Sequence, residues 1–185
     1  MNLNFYLFEN FETLDLFGPV EVLCRLPDAV PEYFSMNGGI IKSSQNTQIV
    51  TKPLDAENIE GIFLIPGGAG TRPLVKDEKQ LALVKMAAEK SLYCLSVCTG
   101  SAVLAACGLL DGKTATSNKI AFDWVKSFGY GVDWQRSPRF CKDGKFYTSA
   151  GVSAGIDMAF EFVRDVYGHE LAEKIKHEIE YNNLP

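Results

Sequence analysis

The sequence predicts an α/β fold built on an open, mostly parallel sheet, and three observations predict it. Short apolar runs alternate with amphipathic stretches along the chain. The inner runs, such as "GIFLIPGG" (61–68) and "SLYCLSV" (91–97), lack strict polar alternation, as strands covered on both faces do. With 185 residues, 46% of them hydrophobic, the chain can form one well-buried core and is too short for two. No repeat, low-complexity tract or linker interrupts it, so a single domain is expected over 1–185.

Taken in order, "LNFYLF" (3–8) is the first strand. Apolar spacing around Leu14 to Leu26 suits a helix, with Pro19 tolerable in its first turns. "EYFSMNG" (32–38) and "TQIVTKP" (47–53) read as strands on a less regular flank, and "GIFLIPGG" as a buried strand ending in a glycine-rich turn. A helix is expected from about Pro73 to Lys90, then the buried strand "SLYCLSV", then a helix from Thr99 to Cys107 stopped by Gly108. "KTATS" (113–117) and "KFYTSAG" (145–151) are later strands. "IAFDWVKSFG" (120–129), "VSAGIDMAFEFVRDVYG" (152–168) and "HELAEKIKHEIEY" (169–181) are helices.

Charge and cysteine content narrow the function. A net charge of −5 with no block of Lys or Arg gives no footprint for nucleic acid. No apolar run approaches the roughly 20 residues of a membrane span, so no membrane partner is expected. The start, "MNLNFYLFENFETLD", lacks a basic leader and reads as a strand. The five cysteines are odd in number and scattered, which fits free thiols in a reducing, cytoplasmic setting. Cys94 and Cys98 have ligand-like spacing, but the only histidines, His169 and His177, lie near the C-terminus, so no metal is expected.

Cys98 stands where a buried strand turns into a helix, followed by Thr99 and Gly100. Such a joint thrusts a side chain outward, and the unpaired N–H groups of the helix start favour a thiolate, the nucleophilic form. Cys24, Cys94 and Cys107, on apolar faces, read as small buried hydrophobes. The turn "IPGGAGTR" (65–72) ends a second buried strand, and its glycines could direct N–H groups at developing negative charge. It lacks the Lys-Ser/Thr of a nucleotide loop. Asp15, set among Leu14, Leu16 and Phe17, would have a raised pKa if buried, although a helix cap is the reading its local sequence favours. Glu21 is a second candidate carboxylate, on what reads as a solvated face.

Together these pieces resemble the ThiJ/PfpI superfamily (class I glutamine amidotransferase-like), and within it the isonitrile hydratase branch. "LDLFGPVEVL", "PGGAGTR", "SVCTGSAVLAACGLLDGKTAT", "TSAGVSAGIDMAFEFV" and "GHELAEKIKHEIEY" carry the likeness in that order, nearly end to end. The resemblance implies a flavodoxin-like three-layer α/β/α sandwich and a homodimer with active sites close to the subunit interface. It implies Cys98 as nucleophile, Asp15 as catalytic carboxylate and Thr99 as the residue following the nucleophile. Oxyanion donors would be the N–H groups of Gly68 and Thr99, with Gly67, Gly70, Thr71 and Asn118 as further substrate-contacting positions. The implied reaction hydrates a small molecule, R–NC, to an N-substituted formamide and calls for no cofactor.

One departure stands out. Many relatives carry a histidine in a "Thr-Thr-His-Trp" segment, where this chain has "TSNK" (116–119), and Asn118 cannot act as a base. That weighs against a Cys-His mechanism of protease or glyoxalase type. Two other functions compete with the hydratase: a stand-alone ligand or redox sensor, and a glyoxalase or deglycase acting on α-oxoaldehydes. The fold also serves transcription regulators that add a helix-turn-helix domain. The chain ends at Pro185 without one, which makes a DNA-binding regulator the poorer expectation.

Overall fold

Strand β1 (Asn2–Tyr6) forms the middle of the sheet, with Leu3, Phe5 and Tyr6 fully buried. The protein is described here by a computed structural model covering residues 1–181, so the last four residues of the expected 1–185 domain lie outside the described residues. On one side β1 pairs in parallel with β2 (Val30–Ser35), which pairs with β4 (Gln48–Pro53); β3 (Gly39–Lys42) closes that edge antiparallel to β4. On the other side lie β5 (Ile62–Ile65), β6 (Tyr93–Ser96) and β10 (Phe146–Ser149), all parallel, and β9 (Phe140–Asp143), antiparallel to β10. The eight strands thus run β3-β4-β2-β1-β5-β6-β10-β9. The chain leaves β1 toward one edge and returns through β5 toward the other. That reversal opens a crevice beyond the carboxyl ends of β1, β5 and β6, where open α/β sheets hold ligands.

Helices cover both faces. α1 (Thr13–Leu23) packs against α6 (Ala154–Tyr167), and α6 against α7 (His169–Glu178); on the other face α2 (Thr71–Leu74) and α3 (Glu78–Lys90) pack against α4 (Gly100–Ala106). α5 (Phe122–Val125) is a single turn, and β7 (Thr114–Ala115) pairs with β8 (Asp133–Trp134) in a separate two-stranded ribbon. The three-layer sandwich with a mostly parallel sheet is therefore the observed architecture.

Several elements differ from expectation. The helix expected from Pro73 to Lys90 is two helices, because the Asp77 carboxylate accepts the N–H groups of Lys79 and Gln80, each at 3.1 Å, and starts α3 afresh. "KTATS" supplies only two strand residues, outside the main sheet, and "IAFDWVKSFG" is helical for only four. β3, β8 and β9 escape sequence reading because they are short and mostly unburied, so no apolar alternation marks them. Pro19 falls in the second turn of α1 and is carried within it.

Candidate active site

The β6–α4 joint fixes Cys98 through its backbone. Its N–H donates to the carbonyls of Ser149 (3.2 Å) and Ala150 (2.9 Å) at the end of β10. Its own carbonyl accepts from the hydroxyls of Ser101 (3.1 Å) and Ser117 (2.8 Å). Held on both sides, Cys98 adopts φ of 56°, a left-handed conformation costing about 1–3 kcal/mol in a non-glycine residue. Strain of this size persists only where the surroundings over-determine the position. Instead of projecting outward, the residue is only 6% exposed.

Asp15 comes from α1 and is 0% exposed. It lies inside the helix and caps nothing; Glu12 holds the cap position and makes no side-chain cap bond. The helix-cap reading that local sequence favours is thus overturned, because tertiary structure turns the carboxyl away from its own helix. Oδ2 accepts the Gly67 N–H at 2.9 Å, while Oδ1 has no conventional hydrogen-bond partner among the described residues. Gly67 allows this convergence. A methyl group on it would stand 2.6 Å from the Thr99 nitrogen and 2.8 Å from both Asp15 Oδ2 and Cys98 Cβ.

Burial pushes the Asp15 carboxyl up to about 7, with the Gly67 N–H opposing and the nearby Glu12 charge adding. Burial also pushes the Cys98 thiol up to about 12, and the negative charge of Asp15 adds to that. The Thr99 N–H and the Asn118 side chain hydrogen-bond the sulfur and pull the other way. The expectation of a resting thiolate is therefore corrected, since desolvation outweighs the donors at the helix start. The two groups titrate as a pair: above about pH 7 they hold one proton between them, on the thiol, beside an ionised Asp15.

The remaining sequence-predicted residues divide into those that face the thiol and those that support it. Asn118 Oδ1 accepts the N–H groups of Ile120 (2.9 Å) and Ala121 (3.0 Å), which leaves the amide NH2 end for the sulfur. The Gly68 N–H is held by Thr99 Oγ1 at 3.0 Å instead of standing free, and the Gly67 N–H belongs to Asp15. Thr71 is fully buried; its hydroxyl lies 2.8 Å from the Gly68 carbonyl and 3.1 Å from Thr99 Oγ1, bracing the turn from behind. Gly70 packs against the backbone of Glu9 and donates to the Asn10 carbonyl at 3.1 Å, away from the thiol. Glu21 is exposed and paired with Arg25 at 2.6 Å, and His169 and His177 are exposed on α7.

Above Cys98 opens a cavity of about 330 Å³, with Thr99, Gly68 and Asn118 beside the thiol. Its wall includes Arg72, Ile120 and Val152, to which the sequence reading gave no role. Arg72 stood within the glycine-turn motif, but nothing in that motif signalled which way it would reach. Among the described residues no group of three or more His, Cys, Asp or Glu side chains is placed to hold a metal ion.

Comparison with known proteins places the chain among relatives. The DJ-1/PfpI family model matches residues 1–165. The chain is 33% identical over 186 residues to isonitrile hydratase of Pseudomonas putida, spanning 100% of this chain and 80% of that protein. A ThiJ/PfpI family protein of Pseudomonas syringae superposes with a TM-score of 0.90 at 27% identity, covering 100% of this chain and 76% of that one. An AraC family transcriptional regulator of Pseudomonas putida superposes with a TM-score of 0.82 at 19% identity, over 96% of this chain and 98% of that one, and shares the fold alone.

Proposed function

The chain belongs to the DJ-1/PfpI family, and from that premise we propose that it adds water to an isonitrile, R–NC, to give the N-substituted formamide. Cys98 is the nucleophile and Asp15 carries the protons. One observation supports this above the others: the buried Asp15 carboxyl, held by the Gly67 N–H, has no conventional hydrogen-bond partner on its other oxygen among the described residues and interacts with the Cys98 thiol closely enough to shift both titrations.

In the singly protonated pair the proton passes to Asp15 as the Cys98 sulfur attacks the terminal carbon of the isonitrile. Asp15 gives that proton to the same carbon, leaving a thioformimidate, R–N=CH–S–Cys98. Water then bonds to the carbon while the Asp15 carboxylate takes one of its protons and delivers it to nitrogen. The adduct R–NH–CH(OH)–S–Cys98 collapses, the C–S bond breaks, and the hydroxyl proton returns to the pair as the formamide leaves. A carboxyl whose pKa lies near 7 both gives and accepts a proton readily at neutral pH. The Thr99 N–H and the Asn118 amide hold the charge on sulfur, a donor role open to an asparagine.

The α-oxoaldehyde reading gains less support, because Asn118, standing beside the thiol, offers no base. A panel of isonitriles and methylglyoxal, with the unmodified protein and Cys98→Ala side by side, tests the proposal by NMR of the products. The expected result is formamide from the unmodified protein and none above background from Cys98→Ala. Formamide produced equally by both, or methylglyoxal consumed while every isonitrile persists, contradicts it.

A further inference from the structure

Arg72 is the one arginine of five without an ion pair among the described residues; Arg25, Arg136, Arg139 and Arg164 each meet a carboxylate. Its side chain is nonetheless held in place. The guanidinium carbon lies 3.6 Å from the centroid of the Trp124 ring, and Trp124 is braced edge-on by Phe128 with centroids 5.0 Å apart. Nη1 lies 3.4 Å from Thr71 Oγ1. Stacking engages the face of a guanidinium and leaves most of its in-plane N–H donors unused. Arg72 lines the cavity that holds Cys98, where much of the remaining wall is apolar: Ala69, Ile120, Ala121 and Val152. The wall's other charged residue, Glu12, has its Oε1 taken by the Gln45 amide at 2.7 Å.

We propose that Arg72 is a specificity-determining residue that receives a carboxylate on the substrate, so that the substrate class is a small isonitrile whose R group combines a short apolar stretch with a carboxylate end. The inference rests on the hydratase reading for the reacting group and on Arg72 alone for the charged one. A planar guanidinium with its face fixed on Trp124 presents parallel N–H groups to a carboxylate, the arrangement that gives such pairs their directionality. An oriented cation without an ion pair among the described residues, on a wall that is in large part apolar, selects the end of the substrate that points away from the thiol. A cavity of about 330 Å³ suits a molecule of that size.

The test reads charge recognition without isonitrile chemistry. Iodoacetylglycine and iodoacetylglycinamide present the same electrophile to Cys98 and differ in a terminal carboxylate against a neutral amide. The ratio of their labelling rates at Cys98, followed by peptide mass, cancels any change in the thiol itself. Arg72→Gln is expected to lower the carboxylate-to-amide ratio about fivefold, the upper end for a solvent-accessible pair, and Arg72→Lys to retain most of it. Added salt is expected to lower the ratio in the unmodified protein, although its net charge of −5 would by itself give the opposite sign. A ratio unchanged in Arg72→Gln, or rising with salt, overturns the proposal. Failure of every isonitrile to react would instead remove the hydratase reading and leave the labelling ratios to decide on Arg72.

Discussion

Asp15 is uncharged at low pH at little cost to the fold, and the cost appears as the carboxyl ionises. Its pKa is raised from 3.8 to about 7, chiefly by burial. Between those values the folded protein binds more protons than the unfolded chain, so the stability contributed by this group is complete below about pH 4 and is lost as pH rises through about 7. Asp15→Asn keeps an acceptor for the Gly67 N–H and removes the buried charge. Urea unfolding should therefore find it more stable than the unmodified protein at pH 8, by on the order of a few kcal/mol, with little difference at pH 4. A variant that is less stable at pH 8 would contradict this. Cys98 was legible in the sequence because a thiol at a strand–helix joint needs only local reading. Its protonation state was not: the helix-start donors are visible in sequence, and the burial that outweighs them is not. Asp15 was legible as a candidate on its apolar neighbours, but its true partner, Gly67, comes from another element. The direction of Arg72 depends on Trp124, which the sequence gives no reason to place beside it.

Strand order is what brings the three turns of the candidate site together. β5 lies between β1 and β6, with Phe5 opposite Leu64 and Ile65 opposite Ser96. The start of α1, the glycine turn after β5 and the elbow after β6 therefore emerge at the same end of the sheet. Gly100 completes the junction, since a methyl group there would stand 2.5 Å from the Ile65 carbonyl oxygen. The buried strands at the centre of the sheet were legible because each is a continuous apolar run, and the long closing helices because their apolar positions recur at helical spacing. The edge strands and the break at Asp77 were not. Edges carry no buried stripe, and an aspartate in a helical stretch reads as an ordinary surface residue until its carboxylate is seen on the next turn's N–H groups.

At the scale of the whole molecule, a large apolar side chain stands exposed at the cavity. Ile120, which lines it, is 98% exposed. We propose that a second copy of the chain covers this region, burying a total of roughly 1,200–2,000 Å² as stable pairs do. Sedimentation should then find a dimer at micromolar concentration, shifted toward monomer by Ile120→Lys; a monomer in the unmodified protein would contradict it. The division of labour between Cys98 and Asp15 is tested most directly by the rate of isonitrile hydration in Asp15→Asn, read beside alkylation of its Cys98. Loss of the neighbouring carboxylate removes a charge that opposes the thiolate, so alkylation should persist. Hydration should fall roughly 10²–10⁴-fold, the usual size of proton-transfer catalysis. Near-normal hydration by folded Asp15→Asn would show that the carboxyl carries no proton in the reaction.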